Sequence, residues 1–126
     1  MSMQWRVVFH PEFEPEFDGL DTAIQDELLA QAQLLEAFGP ALGRPRVDTL
    51  NGSAHANMKE LRFDAAGGVW RVALAFDPSR QAILLVAGDK SGGGEKRFYK
   101  QLIARADKRF NSHLAALNDI KKGRKT

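Results

Sequence analysis

The sequence predicts an α+β fold: a small antiparallel sheet, ordered β-α-βββ-α, with helices packed on one face. Two stretches, residues 16–38 and 95–117, carry apolar side chains at helical spacing. Between them lie three β-rich segments joined by turns too short for crossovers, which makes them an antiparallel meander. Helices segregated from such a meander pack on the sheet and form α+β layers. At 126 residues the chain has room for one domain, expected over residues 1–120, with residues 121–126 as a basic, frayed tail.

Each element has a local cause. Residues 5–10 (WRVVFH) are β-branched and aromatic-rich, and Pro11 stops the strand. From Glu16 to Phe38, Phe17, Leu20, Ile24, Leu28 and Leu35 recur at helical steps; Gly19 and Asp21 mark a break with a second start, and Gly39-Pro40 ends the helix. Residues 39–57 are rich in Gly, Pro, Asn and Ser and read as a packed connector, with turns at Gly43 and Asn51-Gly52. The meander strands are expected at 58–63, 69–76 and 81–88, separated by turns at 64–68 and 77–80. A glycine loop, 89–94, leads into the last helix, whose stripe runs through Phe98, Leu102, Ala106, Phe110, Leu114 and Leu117.

Several function classes are excluded early. Cysteine is absent, which removes disulfides and thiolate chemistry and fits a cytoplasmic protein. The longest apolar run, residues 82–87, is far too short for a membrane span, and no secretory signal is visible at the N-terminus. His10, His55 and His113 are scattered without metal-ligand spacing, so neither a metal nor another cofactor is expected. Ser53 does not sit in a nucleophile elbow, and Gly92–Gly94 match no nucleotide-binding loop.

The net charge of +2 conceals an asymmetry. Residues 1–57 hold three basic and nine acidic side chains, a balance of −6, whereas residues 58–126 hold fifteen and seven, a balance of +8. Such a division points to an anion partner, and nucleic acid is the natural one. The cations on or beside the meander are Lys59, Arg62, Arg71, Lys90, Lys96 and Arg97, with Tyr99 nearby. Arg71 lies mid-strand among apolar residues, where a charge is costly unless it meets solvent or a partner. Its phase opposes Trp70 and Val72, which sends it to the face away from the helices, either gripping a partner or pairing with Glu60. Arg62 shares that choice, and Tyr99 reads either as a half-buried helix tyrosine or as a site residue.

The segments FGPALGRPRVDTLNGSAHANMKELRF, WRVALAFDPSRQAILLVAGDK and EKRFYKQLIARADKRF resemble the HigB-like, phage-Gp49-like branch of the RelE/ParE toxin superfamily. The likeness covers residues 5–117, and it implies a microbial-RNase-like, RelE-like fold. It further implies the toxin of a type II toxin-antitoxin system, a ribosome-dependent, metal-independent messenger-RNA endonuclease that inhibits translation. The partners implied are messenger RNA on the ribosome and a cognate antitoxin of helix-turn-helix, HigA-like type, through which operator DNA is bound. Carried over by motif, K-E-L-R supplies Lys59 and Arg62, W-R-V supplies Arg71, G-D-K supplies Lys90, and K-R-F-Y supplies Lys96, Arg97 and Tyr99. His55 is the histidine offered. The catalytic set is thus Arg71, Lys59, Lys90, Tyr99 and His55, with Arg62, Lys96 and Arg97 binding RNA; Tyr99 serves either as base, if neighbouring cations lower its pKa, or as a platform for a splayed base. Two competing classes stand beside this: a ParE-like toxin that binds a topoisomerase without cleaving RNA, and an inert partner of the antitoxin.

Overall fold

The computed structural model describes residues 4–123, and side chains through Lys121. The chain order is β1 (Arg6–Phe9), α1 (Phe13–Asp18), α2 (Thr22–Phe38), β2 (Val47–Thr49), β3 (Met58–Ala65), β4 (Gly68–Phe76), β5 (Gln81–Asp89) and α3 (Glu95–Gly123). Short 3-10 turns lie at Gly39–Ala41 and Lys90–Gly92. The five strands form one sheet in the order β1-β5-β4-β3-β2.

The helical break expected near Gly19 is present. Gly19 N donates to Glu16 O and closes α1, and Asp21 turns the chain into α2, although its side chain makes no cap bond. The connector contains a short strand that its composition hid: β2 pairs antiparallel with β3, Asp48 lying opposite Glu60. β3 and β4 are joined through Ala66 (φ 50°) and Gly67 (φ 76°), a two-residue turn with both central residues left-handed, matching the twist of a tight hairpin.

Three expectations need correcting. The sheet is mixed rather than antiparallel, because β1 runs parallel to β5 through Arg6↔Gln81 to Phe9↔Leu84. The intervening chain carries β1 back across the sheet, as a crossover must. The helices do not share one face. On one side Ile24, Leu28 and Leu35 of α2 pack with Leu61, Val72, Leu74 and Leu84. On the other, Leu102, Ala106 and Phe110 of α3 pack with Met58, Ala73, Ala75, Ile83 and Leu85. The meander strands are apolar on both faces, so each face requires a cover. Finally, α3 continues through Gly123, beyond the expected end near Leu117, which places Lys121–Gly123 in the helix; residues 124–126 of the expected tail lie outside the described residues.

A bulge in β5 adjusts the two layers. Ala73 pairs with Val86 but Leu74 pairs with Leu84, leaving Leu85 as the extra residue. Leu85 and Val86 both join the α3-side core, while Leu84 and Ala87 face α2. The buried Arg109 of α3 donates to Leu85 O at 2.8 Å and to both carboxylate oxygens of Glu16 at 2.9 and 2.6 Å. This bidentate pair ties α1 to α3 around the β1 edge.

Candidate functional site

Strand register gathers the site. Arg62 lies opposite Arg71, and Glu60 opposite Ala73, so Glu60, Arg62 and Arg71 share the α3-side face. Arg71 lies opposite Gly88. A Cβ on Gly88 would come within 2.8 Å of the Phe98 ring, so the missing side chain lets the first turns of α3 close down on the sheet. That closure brings Tyr99 over the strand. Tyr99 donates its hydroxyl hydrogen to Glu60 Oε1 at 2.8 Å and accepts from Arg71 Nε at 3.2 Å. Arg71 Nε lies 3.7 Å from Glu60 Oε1, and Arg71 Nη1 donates to Trp70 O at 2.9 Å.

Arg71 and Glu60 are buried, with residue exposures of 6% and 7%, so the face expected to be free is largely roofed by α3. Among the described residues, Arg71 Nη2 and Glu60 Oε2 make no hydrogen bond, which leaves each with capacity for a further partner. Burial and the bond to Glu60 push the Tyr99 hydroxyl above its ordinary pKa of 10.0, outweighing Arg71. In this arrangement Tyr99 is the hydrogen-bond donor to Glu60.

Around this core lie further charges. Asp89 ends β5 by accepting from Val69 N, Ser91 N and Ser91 Oγ, which shapes the turn that presents Lys90. Lys90 Nζ lies 2.7 Å from Glu95 Oε1 and 5.9 Å from the centre of the Tyr99 ring. The hydrogen bond from Lys90, with the fields of Arg71 and Arg62, holds the Glu95 carboxyl below its usual range. Arg62 also lies 3.9 Å from Asp48. Lys96 and Arg97 are exposed on the first turn of α3, Arg97 lining a hollow with Asp89 and Gly92–Gly94.

The structure does not bring every candidate together. Lys59 is paired with Leu74, on the α2 side of the sheet, and donates to Thr49 Oγ1 at 3.2 Å. It and Arg71 lie on opposite faces because strand alternation separates residue 59 from residues 60 and 62. His55 is bonded to Asn111 Oδ1 at 2.8 Å and sits edge-on to Phe110. Asn111 is twelve positions beyond Tyr99 on α3, about 18 Å along the axis. The loop carrying His55 is fixed there by Asp107, which accepts from Ser53 Oγ and Ala54 N. No cluster of metal-binding side chains occurs among the described residues, and none of their helices is long and apolar enough to cross a membrane.

Glu60 is the functional candidate that sequence reasoning missed. From sequence it reads as the ion-pair partner of Arg71, yet its even spacing with Arg62 places it on the face of the guanidinium. Glu95 was missed too, since a glutamate opening a helix is explained by the helix dipole alone.

Comparison with known proteins follows the same lines. The profile of the family described as phage derived protein Gp49-like matches residues 15–111. HigB2 of Mycobacterium tuberculosis, a candidate toxin by name, is 46% identical over 109 residues, covering 86% of this chain and 54% of its own. The chain thus spans about half the length of that relative. HigB3 of the same organism, also a candidate toxin by name, is 46% identical over 110 residues, covering 87% of this chain and 94% of its own. A double arginine-to-alanine variant of the Escherichia coli toxin RelE, in its free state, superposes with a TM-score of 0.59 at 13% identity. That likeness covers 85% of this chain and 98% of RelE, and it establishes the shared fold. By family profile and by relatives, the chain belongs to the HigB-like, phage-Gp49-like family, and it shares the fold of RelE.

Proposed function

We propose that this protein is the toxin of a toxin-antitoxin pair and acts as a metal-independent endoribonuclease on messenger RNA held by the ribosome. The observation that carries the reading is Arg71, buried, held by Tyr99 and Trp70 and paired across the strands with Arg62, while Lys90 lies over the Tyr99 ring. A preorganised guanidinium is suited to the charge that develops on a phosphorane, because it needs no reorganisation when that charge appears.

The chemistry can run on protein side chains. Glu60, through its open Oε2, takes the proton from the ribose 2′-OH as that oxygen attacks the adjacent phosphorus. The P–O5′ bond breaks, giving a 2′,3′-cyclic phosphate and a 5′-hydroxyl end. Lys90 supplies the proton to the departing 5′-oxygen once substrate displaces Glu95. Arg71 binds the non-bridging oxygens, Tyr99 holds Glu60 and Arg71 in register, and Arg62, Lys96 and Arg97 position neighbouring phosphates. Lys59 and His55 support the strand and loop behind the site instead. A cognate antitoxin, HigA-like and DNA-binding, neutralises the toxin and carries it to operator DNA in the cytoplasm.

Inducing the chain alone, with and without Arg71→Ala, tests this. Growth arrest accompanied by new 5′-hydroxyl ends in ribosome-bound message, both abolished by the substitution, is expected. Arrest without message cleavage, accompanied by topoisomerase inhibition, would replace it with the topoisomerase-binding reading; absence of arrest would leave only the inert-partner reading.

A further inference from the structure

The pairing of β2 with β3 brings a third arginine to the face that holds Arg62 and Arg71. Arg62 N donates to Arg46 O at 2.8 Å, which extends the β2–β3 register one residue beyond Val47↔Leu61. Arg62 in turn lies opposite Arg71. The three arginines therefore form a row across three adjacent strands, with backbones about 4.8 Å apart. Val47 is buried in the α2-side core, so alternation sends Arg46 to the α3 side with the other two. Exposure grows along the row: the Arg71 side chain is 7% exposed, that of Arg62 36%, and Arg46 is open to solvent. Asp48 pairs with Arg44 at 3.1 Å and lies 3.9 Å from Arg62, whereas the Arg46 side chain makes no hydrogen bond or ion pair among the described residues. Like charges set opposite one another on paired strands destabilise a sheet, and a polyanion laid across the row would relieve that repulsion.

We infer that Arg46 is a further substrate-positioning residue, and that the RNA strand runs across the sheet from Arg71 over Arg62 to Arg46, leaving at the β2 edge. The identity of the bound polymer rests on the ribonuclease reading. A chain that crosses the strands cannot join their backbone ladder, since an added peptide strand runs alongside them. Its grip must come from side chains, and guanidinium groups suit phosphates, which recur at every nucleotide. Arg46 and Arg71 are two strand spacings apart, about 10 Å, so a phosphate beyond the one at Arg71 comes within reach of Arg46. Arg71, buried and held, takes the reacting phosphate; Arg46, exposed and unpaired, takes the chain as it leaves. Arg46 belongs to the acidic first half of the sequence, and the short strand β2 delivers it to the cations of the second half.

The test uses the intact protein and 2′-O-methyl oligouridylates, a hexanucleotide and a dinucleotide, which cannot be cleaved because the 2′-oxygen is blocked. NMR titrations at several salt concentrations read binding without reference to nuclease activity, so this inference and the nuclease reading fail separately. The hexanucleotide, unlike the dinucleotide, should shift the amides of residues 46–48. Arg46→Ala should weaken hexanucleotide binding about threefold to tenfold at low salt and flatten the slope of log affinity against log salt by about 0.7, the share of one phosphate on a single strand. Dinucleotide binding and the melting temperature should stay as in wild type, and Arg46→Lys should restore the slope. Arg6→Ala removes the same charge from the opposite outer strand, β1, and should change neither quantity. The inference is overturned if the hexanucleotide does not bind, if Arg46→Ala leaves its affinity and slope unchanged, or if Arg6→Ala matches Arg46→Ala. An equal loss for the dinucleotide overturns it too, by placing Arg46 at the reacting phosphate. So does a hexaglutamate peptide that binds with the same dependence on Arg46, which would make the row a protein-docking patch.

Discussion

Tyr99 donates its hydroxyl hydrogen to Glu60 at 2.8 Å, joining the first turns of α3 to the middle of β3. Removing that hydroxyl in Tyr99→Phe leaves Glu60 with one fewer donor and Arg71 Nε without its acceptor. A buried hydrogen bond to a charged group is worth about 1.5–3 kcal/mol, so stability should fall by that order. Cleavage should fall further than stability alone explains, because Arg71 loses its orientation. Urea unfolding and cleavage assays well below the melting temperature check both; a variant with unaltered cleavage would remove Tyr99 from the site.

Glu95 holds Lys90 at 2.7 Å, where a phosphate oxygen would be expected to bind. Glu95→Gln keeps the size of the side chain and removes the competing anion. Affinity for single-stranded RNA should rise about twofold to fivefold at low salt and converge on wild type as ionic strength rises. Anisotropy titrations at several salt concentrations read this directly. Weaker binding in the variant would show that Glu95 assists the site instead of occupying it.

His55 is expected to be dispensable for chemistry. Its ring packs on Phe110 at 4.8 Å and bonds Asn111, so His55→Ala should cost about 1 kcal/mol of stability. Cleavage measured at a temperature where the variant remains folded should stay near wild type. A loss of several hundredfold would return His55 to the catalytic set.

Acid should destabilise the fold through Asp77. Burial pushes its carboxyl up, but hydrogen bonds from His113, Gln81 and Ser79 outweigh this and hold its pKa below the ordinary 3.8. A depressed folded pKa means that the stabilisation is complete above 3.8 and is lost as pH falls through the lower folded value. Glu16, lowered by Arg109, acts in the same direction. Denaturation at a series of pH values should therefore show a shallower acid limb in Asp77→Asn; an unchanged slope would assign the acid sensitivity elsewhere.

The hairpin turn offers a gain. Ala66 sits at φ 50°, where a Cβ is strained. Ala66→Gly or Ala66→Asn should raise stability by about 0.5–1 kcal/mol without affecting cleavage, as thermal melts and activity assays would show.

Much of this architecture was legible in the sequence, and the failures have physical causes. The break at Gly19, the three meander strands and the phase of Arg71 all follow from local periodicity and turn chemistry. β2 was hidden because three residues are too few to show alternation and a glycine-rich neighbourhood reads as loop. Placing α3 was a different problem, since helical periodicity reveals which side of a helix is apolar but not which face of a sheet it meets. That ambiguity reaches the site, because strand phase alone places Arg71 on an open surface that Tyr99 in fact covers. Motif proximity groups Lys59 with Arg62, although strand alternation separates them. His55 could be placed only once its loop was seen to dock on Asp107 and Asn111.

The additional residue in β5 has a longer reach than its local geometry. Were Leu85 deleted, Val86, Ala87 and Gly88 would keep both their partners on β4 and their faces, because the bulged residue is the one without a partner. Were it kept without the bulge, Gly88 would instead turn toward α2, and Phe98 would face a side chain's worth of different backbone. Lys90, two residues on, would then leave the strand on the wrong side of the sheet for Tyr99. One irregular peptide thus acts as a phase selector: it decides which side of the molecule receives the ammonium group, some five residues before that group appears.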